Sequence, residues 1–125
     1  MTTHDLPALA GLWTGSDLQL QRELGLKPNE EGTQQIRQRL ASMAGVSDKT
    51  PIEEVIRRTY GLLAQAPSFL VTATIDDALA VKERPNMPGA AEDRHPNWSL
   101  ALPSLVEDLQ HNDVARSIAE VLNRR

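Results

Sequence analysis

The chain has 125 residues, of which 40% are hydrophobic and 24% are charged, and its formal net charge is -4. This composition is typical of one globular domain and argues against collagenous, disordered and membrane-spanning classes. The absence of cysteine excludes disulfides, thiolate metal sites and a catalytic thiol, and it fits a reducing compartment. The basic residues are too dispersed for a nucleic-acid surface, and no long apolar stretch predicts a membrane span or a signal peptide. We therefore expect a cytoplasmic protein.

Local start and stop signals predict three helices in the first half of the chain. A capping-box pattern at Ser16 predicts a short helix over residues 16–24. Apolar residues that recur at helical spacing predict a second helix over residues 28–44, with a proline in its first turn. Thr50, followed by proline and then glutamate, predicts the start of a third helix, which ends before Pro67.

One segment has the composition of a β-strand. Residues 69–74 form a short, continuous run of β-forming residues, as expected of a strand that is covered on both faces. Such a strand needs parallel neighbours, and the sequence offers none. We therefore expect a mainly α-helical chain with one orphan buried strand near residues 69–74.

The remaining third of the chain combines short helices with a long loop. Thr74 can cap a helical turn that ends near Ala80. Residues 84–103 are rich in proline and lack a hydrophobic period, which predicts a long ordered loop of the kind that is often functional. Ser104 opens a last helical region, which carries an apolar stripe to the end of the chain.

This order of elements is incomplete as a fold. A (β/α)₈ barrel needs about 250 residues, so a chain of this length can hold only a fraction of one. The sequence therefore predicts a single partial domain over residues 1–125, which is a section of a larger structure.

Two segments carry the residues with candidate chemistry. They are Thr3-His4-Asp5-Leu6-Pro7, and Asn86-Met87-Pro88-Gly89 with the Asn97-Trp98 pair behind it. Together they resemble the segments after the seventh and eighth barrel strands of amylomaltases, the 4-alpha-glucanotransferases of glycoside hydrolase family 77. The resemblance implies that the chain is the C-terminal section of such a (β/α)₈ barrel, with residues 69–74 in the place of the eighth strand.

The resemblance also implies roles for individual residues. Asp5 is expected to be the third active-site carboxylate, which binds hydroxyls of the sugar being cleaved, and His4 is expected to be its hydrogen-bonding neighbour. Such contacts tighten as the sugar ring distorts towards an oxocarbenium-like transition state, so they lower the barrier. Asn86, Pro88 and Gly89 are expected to bind substrate. On its own, a His-Asp dipeptide is usually part of a turn or a helix cap, and that alternative remains open.

The second segment also contains departures from the family pattern. Ala90 stands where a threonine usually follows the Pro-Gly, and residues 99–101 stand where basic residues usually follow the Asn-Trp. No binding role is carried over to these positions. Trp98 is predicted to pack in the core rather than to stack on a sugar, because tryptophan is mostly buried in folded proteins.

The resemblance places the catalytic nucleophile and the general acid/base before the His-Asp motif, and neither lies in this sequence. Three acidic pairs, Glu30-Glu31, Glu53-Glu54 and Asp76-Asp77, lie near predicted helix starts, where acidic residues favour the helix dipole. The histidines lack the spacing of metal ligands, so we predict no metal site, and the reaction needs no cofactor. We therefore expect the chain alone to be inactive.

The implied activity is transfer of an α-1,4-glucan segment between maltooligosaccharides by a retaining mechanism. The expected partners are the glucan substrate and the missing N-terminal barrel half. Without that half, we expect the chain to self-associate as a homo-oligomer or to pack its amphipathic helices into a small bundle. The alternative hypothesis is a small helical protein that acts only by binding a partner.

Overall fold

The computed structural model describes residues 4–124, and this part of the chain is mainly α-helical. The elements are α1 (Leu9–Thr14), α2 (Ser16–Glu23), α3 (Glu30–Ala44), α4 (Ile52–Ala64), α5 (Ile75–Ala78), a 3₁₀ helix (Val106–His111) and α6 (Asp113–Asn123). The three helices predicted in the first half are confirmed as α2, α3 and α4. Within the described range, no helix has both the length and the apolar character needed to cross a membrane.

The starts of α3 and α4 differ from the predicted ones by one or two residues, and the predicted caps of α2 and α4 differ from the observed ones, for local reasons. The side chain of Asn29 accepts a hydrogen bond from the backbone N of Gly32 at 2.9 Å and so caps α3, which begins after it. Gly15 is the N-cap residue of α2, so Ser16 is the first residue of this helix instead of its cap. The hydroxyl of Thr50 accepts a bond from Ser47 N at 3.0 Å and does not cap α4.

Helix α1 was not predicted, because its capping partner is distant in sequence. Its N-cap position is Ala8, which offers no side-chain hydrogen bond. Instead, Asp77 Oδ1 accepts a hydrogen bond from the backbone N of Leu9 at 2.8 Å, across 68 residues. Gly11 lies against Lys82, and a Cβ at Gly11 would overlap the Lys82 carbonyl oxygen. A glycine is therefore required for this close approach.

The core lies along α4, which packs against both α3 and α6. One core cluster joins α4 to α5 and α6, and a second joins α4 to α1 and the end of α3. The first contains Ile56, Tyr60, Ala78, Val114 and Ile118, and the second contains Trp13, Val46 and Val55. The apolar residues at helical spacing that predicted α3 are only partly covered, because Leu40 packs on the second cluster whereas Ile36 and Met43 are exposed.

The prediction of an orphan buried strand near residues 69–74 is wrong. No part of this segment is a strand, and Phe69 and Leu70 are exposed. A strand is stable only where a neighbour pairs with its backbone N–H and C=O groups, and residues 4–124 contain no β-strand that offers this pairing. The segment is an exposed connection between α4 and α5.

A buried hydrogen bond between Tyr60 and Asp77 joins α4 to α5. The Tyr60 hydroxyl donates to Asp77 Oδ2 at 2.8 Å, and both residues are almost fully buried. Asp77 itself is held in place by α5, since its backbone N donates to Thr74 Oγ1 at 3.2 Å. Burial raises the pKa of Tyr60 to about 12, and the hydrogen bond to Asp77 and the negative charge of Asp77 contribute further.

The raised pKa of Tyr60 predicts a loss of stability at alkaline pH. The folded-state pKa of about 12 exceeds the unfolded value of about 10, so the folded protein holds the phenolic proton more tightly. The resulting stabilisation is fully present below about pH 10 and is lost as pH rises towards about 12. Because Tyr60 is the sole tyrosine, tyrosinate absorbance reports its titration directly, and urea denaturation across the same pH range reports stability.

Tyr60→Phe is the matched control for this titration. It should lower the free energy of unfolding at neutral pH by about 1–3 kcal/mol, because Asp77 Oδ2 loses its donor. It should also remove the part of the alkaline loss that belongs to Tyr60. An identical pH dependence in the Phe variant and the parent would contradict the assignment.

Candidate functional site

The two predicted site segments meet at Asp5. Asn86 Nδ2 donates a hydrogen bond to Asp5 Oδ1 at 2.7 Å, across 81 residues of sequence. Arg84 Nη1 donates to the backbone carbonyl oxygen of Asp5 at 2.8 Å. Asp5 is therefore held at its side chain by Asn86 and at its backbone by Arg84, and its side chain is 50% exposed, so the carboxyl group remains accessible to a ligand.

His4 is close to the second oxygen of the same carboxyl group. Its Nε2 lies 3.3 Å from Asp5 Oδ2, and its side chain is 58% exposed. Its ring lies next to the ring of Trp98, with the centroids 5.2 Å apart and the planes inclined at 51°. With Asn86 at Oδ1 and His4 at Oδ2, each Asp5 oxygen has a neighbouring nitrogen and spare acceptor capacity for hydroxyl groups.

Pro88 and Gly89 form an exposed turn in the loop that carries Asn86. Ala90 N donates to Met87 O at 3.1 Å, which closes the turn. Gly89 has a φ of +83°, as position three of a type II turn requires, and proline suits the position before it. The Met87 side chain is buried and anchors the turn to the protein.

The side chain of Asn97 fixes this turn from the other side of the loop. Its Oδ1 accepts a hydrogen bond from Met87 N at 2.8 Å, and its Nδ2 donates to Ala90 O at 3.2 Å. Both ends of the turn are therefore bound to one amide group. This explains physically why an asparagine accompanies the Pro-Gly pair.

The prediction that Trp98 packs in the core is contradicted. Its side chain is among the exposed large hydrophobic ones, and the residue is 63% accessible. Its φ is +63°, which is uncommon for a bulky residue, and its backbone N donates to Pro85 O at 2.8 Å. The backbone of the loop therefore turns the ring outward beside His4.

A buried ion pair between Arg84 and Asp17 lies behind Asp5. Arg84 Nε and Nη2 donate to the two carboxylate oxygens of Asp17 at 2.7 and 2.6 Å, and both side chains are 7% exposed. Neither residue was predicted to have a role. Since they are 67 positions apart, no local pattern could have joined them.

The acidic pairs occupy the predicted helix starts. The pairs Glu30-Glu31, Glu53-Glu54 and Asp76-Asp77 lie in the first turns of α3, α4 and α5. Among residues 4–124, no group of three histidine, aspartate or glutamate side chains is placed to hold a metal ion. The candidate site is the Asp5 carboxyl group with Asn86 and His4 beside its two oxygens, because the two predicted segments meet there.

The family comparison covers both site segments. A family model described as 4-alpha-glucanotransferase matches residues 1–106, which include the His4-Asp5 segment and the loop with Asn86 and Trp98. The chain belongs to this 4-alpha-glucanotransferase family. The resemblance inferred from the two motifs is thereby confirmed.

Individual relatives in the 4-alpha-glucanotransferase family are much longer than this chain. The 4-alpha-glucanotransferases of Mycobacterium bovis and Mycobacterium tuberculosis are each 29% identical to it over 139 aligned positions, which cover 98% of this chain and 19% of each relative. A crystal structure of amylomaltase from Corynebacterium glutamicum matches with a TM-score of 0.81 and 23% identity, over 100% of this chain and 21% of that one. The chain therefore spans about a fifth of the length of these proteins.

The position of Trp98 predicts that its removal has little effect on stability. Trp98→Ala should change the free energy of unfolding by only about 0.5 kcal/mol, because the ring is mostly exposed. The matched control is Met87→Ala in the same loop, which should cost about 2–5 kcal/mol because Met87 is buried. Urea denaturation of both variants measures the difference. A larger loss for Trp98→Ala than for Met87→Ala would show that Trp98 belongs to the core after all.

Proposed function

We propose that this chain forms the C-terminal part of the catalytic (β/α)₈ barrel of a 4-alpha-glucanotransferase and supplies Asp5 to the active site. The observation that carries the proposal is the hydrogen bond from Asn86 to Asp5, which joins the two family motifs at one accessible carboxyl group. Membership of the family and the likeness to the fold of the Corynebacterium glutamicum amylomaltase support it.

The proposed reaction moves an α-1,4-glucan segment from one maltooligosaccharide to the 4-hydroxyl of another. A carboxylate nucleophile attacks the anomeric carbon while a general acid protonates the departing oxygen, which gives a covalent glycosyl-enzyme. The acceptor 4-hydroxyl, deprotonated by the same acid/base residue, then displaces the enzyme carboxylate with net retention. By family resemblance, both of these carboxyl groups come from the barrel part that precedes the His4-Asp5 segment.

The residues of this chain act on the sugar that is being cleaved. Asp5 accepts hydrogen bonds from its hydroxyl groups, while His4 and Asn86 hold the two oxygens of the Asp5 carboxylate. These contacts strengthen as the ring flattens, so Asp5 stabilises the transition state more than the bound substrate. Asn86 and the Pro88-Gly89 turn form one edge of the substrate-binding face. This chemistry requires no cofactor.

The partner of the chain is the N-terminal barrel part, and the exposed connection between α4 and α5 is the place where it binds. Phe69 and Leu70 in this connection are exposed apolar side chains, and contact with the N-terminal barrel part would bury them. Without that part, a second copy of the chain is the alternative partner, which gives a homo-oligomer. A cysteine-free glucan-processing enzyme fits the cytoplasm, where we propose that it acts.

Reconstitution tests the proposed function. The purified chain alone should neither disproportionate nor hydrolyse maltotriose, because it lacks the nucleophile and the acid/base. Addition of the barrel part that precedes the matched region in the Corynebacterium glutamicum amylomaltase should restore glucose release and longer maltooligosaccharides. Sedimentation velocity of the chain, the added part and their mixture measures whether a one-to-one complex or a homo-oligomer forms.

Two results would contradict the reconstitution hypothesis. Glucose release by the chain alone would mean that one of its own acidic pairs performs catalysis. A chain that binds an unrelated protein, and neither binds nor activates the barrel part, would support the alternative of a helical binding protein.

The role of Asp5 is tested in the reconstituted enzyme. Asp5→Asn preserves size and removes the negative charge, so it should lower turnover by about 10²- to 10³-fold and leave the thermal midpoint nearly unchanged. Asp108→Asn, at an exposed position of the 3₁₀ helix, is the matched control and should retain full turnover. Equal activity of the Asp5→Asn and Asp108→Asn enzymes would exclude a catalytic role for Asp5.

A further inference from the structure

The Arg84 side chain forms a hydrogen bond to Asp5 in addition to its ion pair with Asp17. Its Nε and Nη2 bind the two oxygens of Asp17 at 2.7 and 2.6 Å, which is the parallel geometry of an arginine–carboxylate pair. The remaining terminal nitrogen, Nη1, donates to the backbone carbonyl oxygen of Asp5 at 2.8 Å. One buried guanidinium group therefore connects α2 to the peptide group of Asp5.

The ion pair determines where Nη1 points. A guanidinium group is planar and rigid, so two bonds to Asp17 fix the direction of the third donor. Asp17 is itself anchored on α2, because its Oδ2 also accepts a hydrogen bond from Gln21 Nε2 at 2.8 Å. The position of the Asp5 backbone therefore depends on α2, through the hydrogen bonds of Asp17 and Arg84.

The same short segment also holds the side chain of Asp5. Asn86, two residues after Arg84, donates to Asp5 Oδ1 at 2.7 Å. Pro85 between them has a restricted φ, and its carbonyl oxygen accepts a hydrogen bond from Trp98 N at 2.8 Å. The backbone and the carboxyl group of Asp5 are thus bound by two side chains whose spacing is fixed.

We propose that Arg84 is a positioning residue for Asp5, which it holds through the Asp5 backbone carbonyl while Asp17 fixes the orientation of the guanidinium group. This inference rests on the proposed role of Asp5 in glucan transfer. A carboxylate that recognises a distorted sugar ring must be placed to within about 0.5 Å, so loss of one of its two supports lowers turnover.

Arg84→Lys separates positioning from simple charge pairing. Lysine keeps a positive charge beside Asp17, but its single ammonium group cannot reproduce the parallel pair and the third bond together. Arg58→Lys is the matched control, because Arg58 also binds a carboxylate, Glu54 at 2.7 Å, and a backbone carbonyl, Gly45 at 2.8 Å, but on α4.

The first measurement uses amide NMR spectra of the full chain. The Leu6 amide belongs to the peptide group whose carbonyl oxygen accepts the Arg84 bond, and the Asn86 side-chain amide donates to Asp5. Arg84→Lys should shift both resonances, whereas Arg58→Lys should shift neither. If the lysine variant does not fold, Asp17→Asn, which keeps an acceptor oxygen and removes the pair, should shift the same two resonances. Unchanged Leu6 and Asn86 resonances in a folded variant would overturn the inference.

The second measurement uses the reconstituted enzyme with maltotriose. Arg84→Lys should lower kcat roughly ten- to a hundredfold with little change in KM, at a temperature where the variant is fully folded. Unchanged kcat in Arg84→Lys, alongside a large loss in Asp5→Asn, would overturn the positioning role and leave the proposed function standing. Full activity of Asp5→Asn would instead overturn the proposed function, and the NMR result would still decide whether Arg84 holds Asp5.

Discussion

The Asp77 carboxyl group connects three helices that are far apart in the sequence. It accepts hydrogen bonds from the first backbone N of α1 and from the Tyr60 hydroxyl of α4, while Asp77 itself lies in α5. A helix of only six residues, such as α1, has little stability of its own, so it depends on this long-range cap and on its packing against α4. The placement of α1 determines where the preceding segment with Asp5 lies.

The second constraint is the buried Arg84–Asp17 ion pair. It holds the segment that contains Asp5, because Arg84 also binds the Asp5 backbone carbonyl oxygen. Burial of an ion pair gives little net stability compared with apolar packing, yet breaking it leaves a buried charge without compensation. Such a pair therefore favours one arrangement of the chain over others, and it adds little to the free energy of unfolding. Here the selected arrangement sets α2 against the loop after α5, and Asp5 lies where the two meet.

Local signals account for what the sequence could predict. Helices α3 and α4 carry apolar residues at helical spacing and end at residues that local patterns identify, so their existence and extent were predictable. Helix α1 was missed because its cap comes from Asp77. The strand near residues 69–74 was wrongly predicted because β-propensity describes residues that suit a sheet, and cannot show whether neighbouring strands exist. Family resemblance assigned Asp5 and Asn86 to one active site, but it did not predict the hydrogen bond between them. The Arg84–Asp17 pair had no local signal, because the two residues are 67 positions apart.

The two tryptophans of the chain lie in opposite environments. Trp13 is buried in the cluster between α1, α3 and α4, with the Arg37 guanidinium group 5.7 Å from its ring centroid, whereas Trp98 is exposed beside His4. Their fluorescence emission should therefore differ in wavelength and in access to an aqueous quencher. The emission that the quencher reaches would come from Trp98 and report on the surroundings of Asp5. The protected emission would come from Trp13 and report on the packing of α1. A single unlabelled sample therefore reports on the site and on the core separately.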